Sequence, residues 1–369
     1  MKPAPILALA ALLASPAAAE GIIPSSAGSL AVTPVLTGLN EPWGMAFLPD
    51  GSVLVTERDG RLLLSRDGAA AEVGGLPEVF AEGQGGLLDV LVPRDFADSR
   101  RVWLSFANPV EGGAATATGF GRLSDDGTRI EGFRTVFTGD PMPGGRHFGA
   151  RLVEMPDGTV ALTTGDRGTG PMGLQAQDPQ RAEGKVILLT GEGAPAVTRP
   201  DARPGVFSLG HRNIQGATLD LQGQLWVVEH GARGGDELNR IEEGRNYGWP
   251  VISYGVNYNG DTIGNGSAQD GMEQPVHYWD PSIAPSGLLV YSGKLIPGWK
   301  GDILFGSLNS DFLGRLDPDT PAATGFAEER LSSDETQRVR DVTEAPDGSI
   351  WFLSVGQGAL YRLAPGTSG

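Results

Sequence analysis

The sequence contains no cysteine, so disulfide bonds and thiolate metal ligands are both excluded. It also lacks the patterns H-E-x-x-H and G-x-S-x-G, which disfavours zinc-protease and α/β-hydrolase chemistry. Positive charge is scarce, with 28 Lys and Arg against 45 Asp and Glu, for a formal net charge of −17. This balance argues against partners such as nucleic acid or anionic membrane surfaces, and it mildly favours bound cations.

The sequence has a single long apolar run, PILALAALLASPAAA, which begins at residue 5, shortly after Met1 and Lys2. The run is too short to span a bilayer comfortably, and it closes on Ala17-Ala18-Ala19, a small-residue pattern that signal peptidase can cut. We therefore expect residues 1–19 to be a cleaved signal peptide and the protein to be periplasmic. The alternative is an uncleaved anchor. No membrane insertion of the mature chain is expected.

Glycine and proline, 56 and 27 residues, are spread between short apolar runs, as is typical of all-β proteins. One unit recurs, a tight turn followed by an alternating strand. It occurs as LPDGSVLVTE at residue 48, MPDGTVALTTGD at 155, DLQGQLWVVEH at 220 and APDGSIWFLSV at 345. Asp-Gly supplies the positive φ of a tight turn, and Val, Leu, Trp and Thr suit a half-buried pleated surface.

The spacing of these units fits two, one and two periods of about 60 residues, a suitable length for a four-stranded blade with its loops. Helical periodicity is absent outside the signal peptide. The sequence therefore predicts one all-β domain over residues 20–369, a six-bladed β-propeller with four-stranded antiparallel blades. A pair of β-sandwiches is the alternative. In a propeller, site residues should be scattered along the sequence near strand ends, because the loops of several blades converge on the axis.

His147 is one of only four histidines, and it follows two glycines and an arginine in GGRHFGARL. Asp166 comes one hairpin later, where a carboxylate can hold the imidazole tautomer and raise its basicity. The pattern indicates a His–Asp dyad with His147 as general base. A structural hydrogen-bonding role for His147 is the alternative.

Two further patterns have chemical interpretations. Alternation along a predicted strand places Arg338 and Arg340 on one face, where two guanidiniums suit a ligand with carboxylates, or else a solvated edge. The stretch HGARGGDE places flexible backbone before Asp236 and Glu237, so that carbonyl and carboxylate oxygens could hold calcium; an acidic surface loop is equally consistent.

The motifs together resemble the soluble aldose sugar dehydrogenases, PQQ-dependent relatives of soluble glucose dehydrogenase (PQQ is pyrroloquinoline quinone). The matching segments are EPWGMAFLPDG, GQGGLLDV, GGRHFGARL, TTGDRG, LGHRNIQG, EHGARGGDELNRIEEGRNYGWP, HYWDPSIAPSG, PGWKGDILFGSL and RVRDV. They occur in the same order over about residues 35–363. The resemblance implies a six-bladed propeller.

The resemblance also implies roles for individual residues. His147 would be the general base, Asp166 its orienting partner, and Arg212 a catalytic and cofactor-binding cation. The other implied PQQ-binding residues are Gln84, Asn213, Tyr258, Ser307, Leu308, Asn309, Arg338 and Arg340. The carbonyls of Gly231 and Ala232 would bind the calcium associated with PQQ, and Glu237 and Tyr247 a second, structural calcium. Asn309 stands where glucose dehydrogenase carries a lysine, so the cofactor would have one cation fewer.

The implied activity is oxidation of an aldose at C1 to the lactone, with hydride transfer to PQQ and calcium polarising the quinone. No motif in the sequence identifies the electron acceptor that would reoxidise the reduced PQQ. Two alternatives come from other functional classes, a calcium-dependent lactone hydrolase and a non-catalytic propeller that binds carbohydrate or protein.

Overall fold

The computed structural model describes residues 21–168 and 173–366, and the predicted signal peptide lies outside these residues. No helix in the described part of the chain has the length and apolar character needed to cross a bilayer. The described helices are short: α1 (Phe96–Ser99) and the 3₁₀ turns Leu174–Gln177, Pro297–Trp299 and Asp334–Thr336.

The remaining regular structure is β-strand. In chain order the strands are β1 (Gly21–Ser25), β2 (Gly28–Thr37), β3 (Pro42–Phe47), β4 (Val53–Glu57), β5 (Arg61–Arg66), β6 (Ala69–Glu72), β7 (Leu87–Leu91), β8 (Arg101–Val110), β9 (Gly113–Leu123), β10 (Ile130–Thr138), β11 (Gly149–Glu154), β12 (Val160–Thr164), β13 (Lys185–Leu189), β14 (Val206–Leu209), β15 (Ile214–Leu219), β16 (Leu225–Glu229), β17 (Asp236–Arg240), β18 (His277–Trp279), β19 (Pro285–Val290), β20 (Ile303–Ser307), β21 (Leu313–Ala322), β22 (Gly325–Leu331), β23 (Val339–Glu344), β24 (Ile350–Ser354) and β25 (Ala359–Pro365).

These strands form six antiparallel sheets, which confirms the predicted six-bladed propeller. The blades are β3–β6, β7–β10, β11–β14, β15–β18 and β19–β22, and the sixth has the order β23-β24-β25-β2-β1. The first strand of each blade contacts the first strand of the next, and β23 contacts β3, so the ring is closed. Because β2 pairs with β25, the first and last strands of the described residues belong to one sheet.

The repeated unit marks the same place in four blades. Its turn joins the first and second strands in the blades that begin with β3, β11, β15 and β23. In the blade that begins with β7 the equivalent connection contains α1, and in the blade that begins with β19 it contains the turn Pro297–Trp299. The intervals of two, one and two periods between successive repeat units therefore correspond to intervals of two, one and two blades.

The apolar core lies largely between adjacent blades. One cluster of buried side chains joins the first two blades, with Leu54 and Leu64 from one and Leu104 and Phe106 from the other. Full burial of each such side chain contributes about 1.5–3 kcal/mol. Packing on both sides of every blade fixes the directions of the six inner strands.

The first strand of each blade is its inner strand, and all six inner strands begin at the same end of the axis. Residues at or just before these strand starts meet there. Trp43 comes from β3, Gln84 precedes β7, His147 precedes β11, Asn213 precedes β15 and Arg338 precedes β23. Each second strand runs antiparallel to the first and so ends at this same end. The fold thus gathers residues from distant parts of the sequence, as predicted.

Candidate active site

Two adjoining cavities open at this end of the axis. The first, of about 390 Å³, is called the axial cavity; its lining includes Trp43, Arg58, Gln84, Asn213, Gln215, His230, Leu308, Asn309, Arg338 and Arg340. The second, of about 520 Å³, is called the His147 cavity; its lining includes Gln84, Arg146, His147, Asp166, Arg212, Ala232, Trp249, Asn257 and Tyr258. Gln84 lines both cavities.

His147 and Asp166 form a hydrogen-bonded pair at the open end of the β11–β12 hairpin. His147 Nδ1 lies 2.6 Å from Asp166 Oδ1. His147 is also fixed through its backbone, because its N–H donates to Gln84 Oε1 at 2.7 Å. With Nδ1 donating to the carboxylate, Nε2 carries the free lone pair of the imidazole, and it has no hydrogen-bond partner among the described residues.

The electrostatic surroundings favour an ionised Asp166 and a neutral His147. Burial opposes ionisation of Asp166, but the hydrogen bond from His147 and the nearby charge of Arg212 hold its pKa below the ordinary value. Burial lowers the pKa of His147, and the charges of Arg212 and Arg146 lower it further, against the opposing effect of Asp166. At neutral pH the imidazole is therefore an available base.

The backbone that carries His147 takes an unusual path. His147 has φ of 49°, in the left-handed region. A Cβ at Gly165 would lie only 2.1 Å from the carbonyl oxygen of His147, so only glycine permits this close approach. Arg167, which is almost fully buried, donates to the carbonyls of Gly144 and Arg146, at 2.8 Å each, and so fixes the loop from the other side.

Asp166 has a second anchor that the sequence interpretation did not include. Trp249 donates its indole N–H to Asp166 Oδ2 at 2.7 Å, and the N–H of Gly168 donates to Oδ1 at 2.8 Å. Both carboxylate oxygens are thereby occupied. The ring of Trp249 also lies 5.2 Å from the guanidinium of Arg212, within cation–π range.

Arg212 is 6% exposed and lines the His147 cavity. Its Nη1 donates to the carbonyl of His230 at 3.1 Å, whereas its Nε is buried and has no hydrogen-bond partner in the described part of the chain. The neighbouring Asn213 lines the axial cavity and accepts hydrogen bonds from Gly149 and Gln215. The unpaired, buried Nε of Arg212 indicates that a ligand supplies the missing hydrogen-bond acceptor.

Arg338 and Arg340 both line the axial cavity, although only Arg340 belongs to the strand. Arg338 precedes β23 with φ of 51°, so the predicted alternation along a strand is not what brings the two together. Burial and the neighbouring charges of Arg151, Arg338 and Arg58 lower the pKa of Arg340 to about 9. This repulsion among cations indicates a place for an anion.

The predicted calcium residues divide between two places. Ala232 lines the His147 cavity, while Gly231, Glu237 and Tyr247 line a small cavity of about 10 Å³ beside it. The carbonyls of Gly231 and Ala232 accept no hydrogen bond from the described residues. The Tyr247 hydroxyl already donates to the carbonyl of Arg240 at 2.6 Å, which leaves the backbone carbonyl of Tyr247 as its available oxygen.

Glu237 shares this small cavity with Glu229, a second buried carboxylate. Burial and the negative charge of Glu229 raise the pKa of Glu237 to about 8. Asn239 donates to both carboxylates through Nδ2, and its Oδ1 is buried without a partner among the described residues. The described residues contain no group of three or more acidic or histidine side chains arranged to hold a metal ion.

The remaining predicted residues are placed unevenly. Leu308 and Asn309 line the axial cavity, and the carbonyl of Leu308 accepts a hydrogen bond from Arg338. Tyr258 lies at the mouth of the His147 cavity and is 73% exposed. Ser307 is fully buried beneath the surface, donates to the carbonyl of Ile283, and lines neither cavity.

Three residues of the axial cavity were not predicted from the sequence, although they occupy the same position in the repeated unit. Arg58, His230 and Val355 each follow the turn glycine of their repeat unit by seven residues, and all three line the axial cavity. This position falls directly after the second strand of a blade, where the chain reaches the axis. Burial and the charges of Arg340 and Arg212 lower the pKa of His230 to about 3, so it is neutral.

Comparisons with known proteins place this geometry in a family. Residues 39–362 match the family model described as glucose/sorbosone dehydrogenase. The aldose sugar dehydrogenase YliI of Escherichia coli K12 is 39% identical over 341 residues, covering 89% of this chain and 91% of that protein.

Solved structures agree with the sequence matches. The apo-form crystal structure of the soluble aldose sugar dehydrogenase of E. coli has a TM-score of 0.82 at 37% identity, covering 91% of this chain and 99% of that one. The PQQ-bound aldose sugar dehydrogenase of Streptomyces coelicolor has a TM-score of 0.74 at 28% identity, covering 91% and 98%.

Proposed function

Because this chain belongs to the glucose/sorbosone dehydrogenase family of PQQ-dependent oxidoreductases, we propose that it oxidises aldose sugars at C1 to the lactone. In this proposal the axial cavity would hold PQQ, which would supply the two-electron acceptor, His147 is the general base, and bound calcium would supply a Lewis acid. The single observation that carries the proposal is the His147–Asp166 dyad, whose free Nε2 borders a cavity next to a cluster of unneutralised guanidiniums.

The axial cavity fits a tricarboxylated ligand. Arg338 and Arg340 form no ion pair with any carboxylate among the described residues, and the pKa of Arg340 is lowered by burial and, further, by the neighbouring guanidiniums. A bound anion would relieve this repulsion. Gln84 and Asn213 add amide groups, and the unpaired Nε of Arg212 adds a buried donor at the adjoining His147 cavity. These are the residues that would hold PQQ.

The loop after β16 offers oxygen ligands of the type that calcium prefers. The carbonyls of Gly231 and Ala232 have no hydrogen-bond donors among the described residues, and both lie beside cavities. The paired carboxylates Glu229 and Glu237 form a second place where a cation would relieve repulsion. Bound calcium supplies a Lewis acid.

The dyad performs the proton transfer in the proposed reaction. His147 Nε2 removes the proton from the C1 hydroxyl of the sugar as the C1–H bond breaks and the lactone carbonyl forms. Asp166 keeps Nδ1 protonated beforehand and stabilises the imidazolium that results. When bound, PQQ supplies the two-electron acceptor for the hydride that leaves C1.

In the proposed reaction Arg212 would stabilise the negative charge that develops as the hydride is transferred. Its guanidinium borders the His147 cavity and is fixed between the carbonyl of His230 and the ring of Trp249. A cation held in this way stabilises charge in the transition state without reorganising. We also propose that the protein acts in the periplasm, an assignment that rests on the signal pattern of residues 1–19.

Reconstitution of the purified apoprotein tests the proposal. PQQ and calcium are added together and singly, and dye reduction is followed over a panel of aldoses, with EDTA as the control for calcium. We expect aldose-dependent dye reduction only with both additions, and lactone as the product. Hydrolysis of added lactone without PQQ, or carbohydrate binding without dye reduction, would contradict the proposal.

A further inference from the structure

Several arginines without an ion-pair partner meet at the active end of the axis. Four arginines that form no ion pair with a carboxylate among the described residues line the two cavities: Arg146, Arg212, Arg338 and Arg340. Their presence together contrasts with the formal net charge of −17 of the whole chain. The active end is thus a local region of positive charge on an acidic protein.

These four cations have different surroundings. Arg338 and Arg340 line the axial cavity and are the cations that the proposed cofactor would neutralise. Arg212 is buried in the wall of the His147 cavity, where it contacts Trp249 and the carbonyl of His230. Arg146 lines only the His147 cavity, is exposed, and has no side-chain hydrogen bond or ion pair with the described residues.

Asp166, the one carboxylate among the described residues that line the His147 cavity, does not neutralise Arg146. Asp166 already accepts hydrogen bonds from His147, Gly168 and Trp249, which occupy both of its oxygens. The charge of Arg146 nevertheless reaches the reacting group, since it is one of the causes that lower the pKa of His147. The His147 cavity therefore holds an uncompensated cation within electrostatic reach of the base.

The position of Arg146 is fixed although its side chain is free. Its carbonyl accepts a hydrogen bond of 2.8 Å from the buried guanidinium of Arg167, which also bonds the carbonyl of Gly144. The chain at Gly168 passes so close that a Cβ there would lie 3.4 Å from the Cβ of Arg146. A guanidinium on a fixed stem at a cavity mouth suits a planar carboxylate, which it can bind through two parallel hydrogen bonds.

We propose that the His147 cavity takes aldoses that carry a carboxylate, the uronic acid class, and that Arg146 binds this carboxylate while C1 faces His147. The proposal rests on the proposed aldose oxidation and adds the substrate class. A neutral sugar would fill the same space but leave the guanidinium without an anion. Arg146 would be a specificity-determining residue and takes no part in the proton transfer.

Matched pairs of sugars test the proposal in the reconstituted holoenzyme. Galacturonate and galactose, and glucuronate and glucose, differ only in an anionic or neutral group at C6. The readout is the ratio of kcat/KM for the acid to kcat/KM for its neutral twin. We expect a ratio of about 10, in the range of a partly exposed charge-assisted hydrogen bond, and a decrease of that ratio as ionic strength rises.

The variant Arg146→Gln should lower this ratio by about tenfold. Arg129→Gln is the matched control, because Arg129 is also exposed and without an ion pair among the described residues but lines neither cavity, and it should keep the wild-type ratio. Glucose 6-phosphate separates a general preference for anions from a preference for carboxylates. Equal or better turnover of the phosphate would contradict the uronic acid assignment.

The outcomes distinguish the two proposals. If neither acidic nor neutral aldoses are oxidised, the proposed function itself fails. If neutral aldoses are oxidised and the ratio stays near 1 in both the wild type and Arg146→Gln, only the substrate class is wrong. A titration of PQQ into both apoproteins completes the design, because weaker PQQ binding with an unchanged ratio would assign Arg146 to the cofactor and overturn the proposal.

Discussion

Trp249 donates its indole N–H to Asp166 Oδ2 at 2.7 Å, on the carboxylate oxygen that His147 does not use. The dyad is therefore held from both sides, and the third group comes from a loop 83 residues further along the chain. Because the same indole ring lies against the guanidinium of Arg212, Trp249 positions a proton-accepting pair and a charge-stabilising group together.

Replacement of Trp249 by phenylalanine should reduce kcat about tenfold with a small change in KM. The ring is kept but the N–H is lost, and a hydrogen bond to a charged group is worth about 1.5–3 kcal/mol. Steady-state kinetics of the holoenzyme provide the measurement. Trp226→Phe is the control, because Trp226 donates to Asp220 at 3.0 Å away from either cavity; an equal loss in both variants would contradict a positioning role.

Replacement of His147 by alanine should lower kcat by about 10²–10⁴, the usual contribution of a positioned general base. PQQ affinity should change little, because His147 does not line the axial cavity. Single-turnover reduction of the bound cofactor, with absorbance titration of PQQ into the apoprotein, measures both quantities. Full turnover in the variant would remove His147 from the mechanism.

The pH dependence of kcat/KM should show an acidic limb that lies below the ordinary pKa of histidine. His147 acts as a base only when neutral, so activity rises with pH through its lowered pKa and is flat above it. Asp166→Asn removes the carboxylate charge and leaves at most a neutral hydrogen bond to Nδ1, so the effects that oppose this lowering are weakened. The limb should then move to still lower pH, and the plateau should fall about 100-fold or more. A limb that moves to higher pH would contradict the assignment.

Much of this site could be predicted from the sequence, whereas the remainder depends on contacts between blades. The four repeat units gave the blade spacing, and the hairpin between GGRHFG and TTGDRG placed His147 opposite Asp166 because antiparallel strands bring those ends together. Trp249 could not be assigned in this way. Its loop reaches Asp166 from the next blade, and no local pattern encodes a contact between blades.

The arginines show the same limit. The prediction that Arg338 and Arg340 lie together is correct, since both line the axial cavity. The reason given for it, alternation along one strand, is wrong, because β23 begins only at Val339 and Arg338 lies outside it. Arg338 has a left-handed backbone conformation, and Arg340 lies in the irregular register between Val339 and Asp341. Ser307 lies within a matched motif, yet its hydroxyl is used by the carbonyl of Ile283 and stays buried.

An added cation at Asn309 should strengthen cofactor binding. Asn309 is exposed, lines the axial cavity and donates to the carbonyl of Ser282 at 3.2 Å, a weak neutral contact. We expect Asn309→Lys to lower the Kd of PQQ several-fold, about 0.5–1 kcal/mol for a partly solvated charge pair, and Arg340→Met to raise it more strongly. Fluorescence titration of the apoprotein is the measurement. Unchanged affinity in Arg340→Met would place the cofactor elsewhere.

Lys185 is a buried lysine that the proposed reaction does not use. Its Nζ donates to the carbonyls of Gln175, Ala176 and Glu183, at 3.2, 2.9 and 2.6 Å. These bonds tie β13 to the turn Leu174–Gln177. Removal of the ammonium leaves buried carbonyls without a donor, so Lys185→Met should lower the free energy of unfolding by about 3 kcal/mol. Lys300→Met, at an exposed position, is the control.

Lys185 also predicts how stability depends on pH. Burial lowers its pKa to about 7 in the folded protein, whereas the unfolded chain has the ordinary value of 10.5. Below pH 7 both states carry the proton, and the group contributes no pH dependence. Between these two values only the unfolded chain binds it, so this group makes the free energy of unfolding rise with pH, by at most ~1.4 kcal/mol per pH unit. Urea unfolding across this range should show a rise that Lys185→Met lacks and Lys300→Met retains. The same slope in both variants would mean that another group titrates.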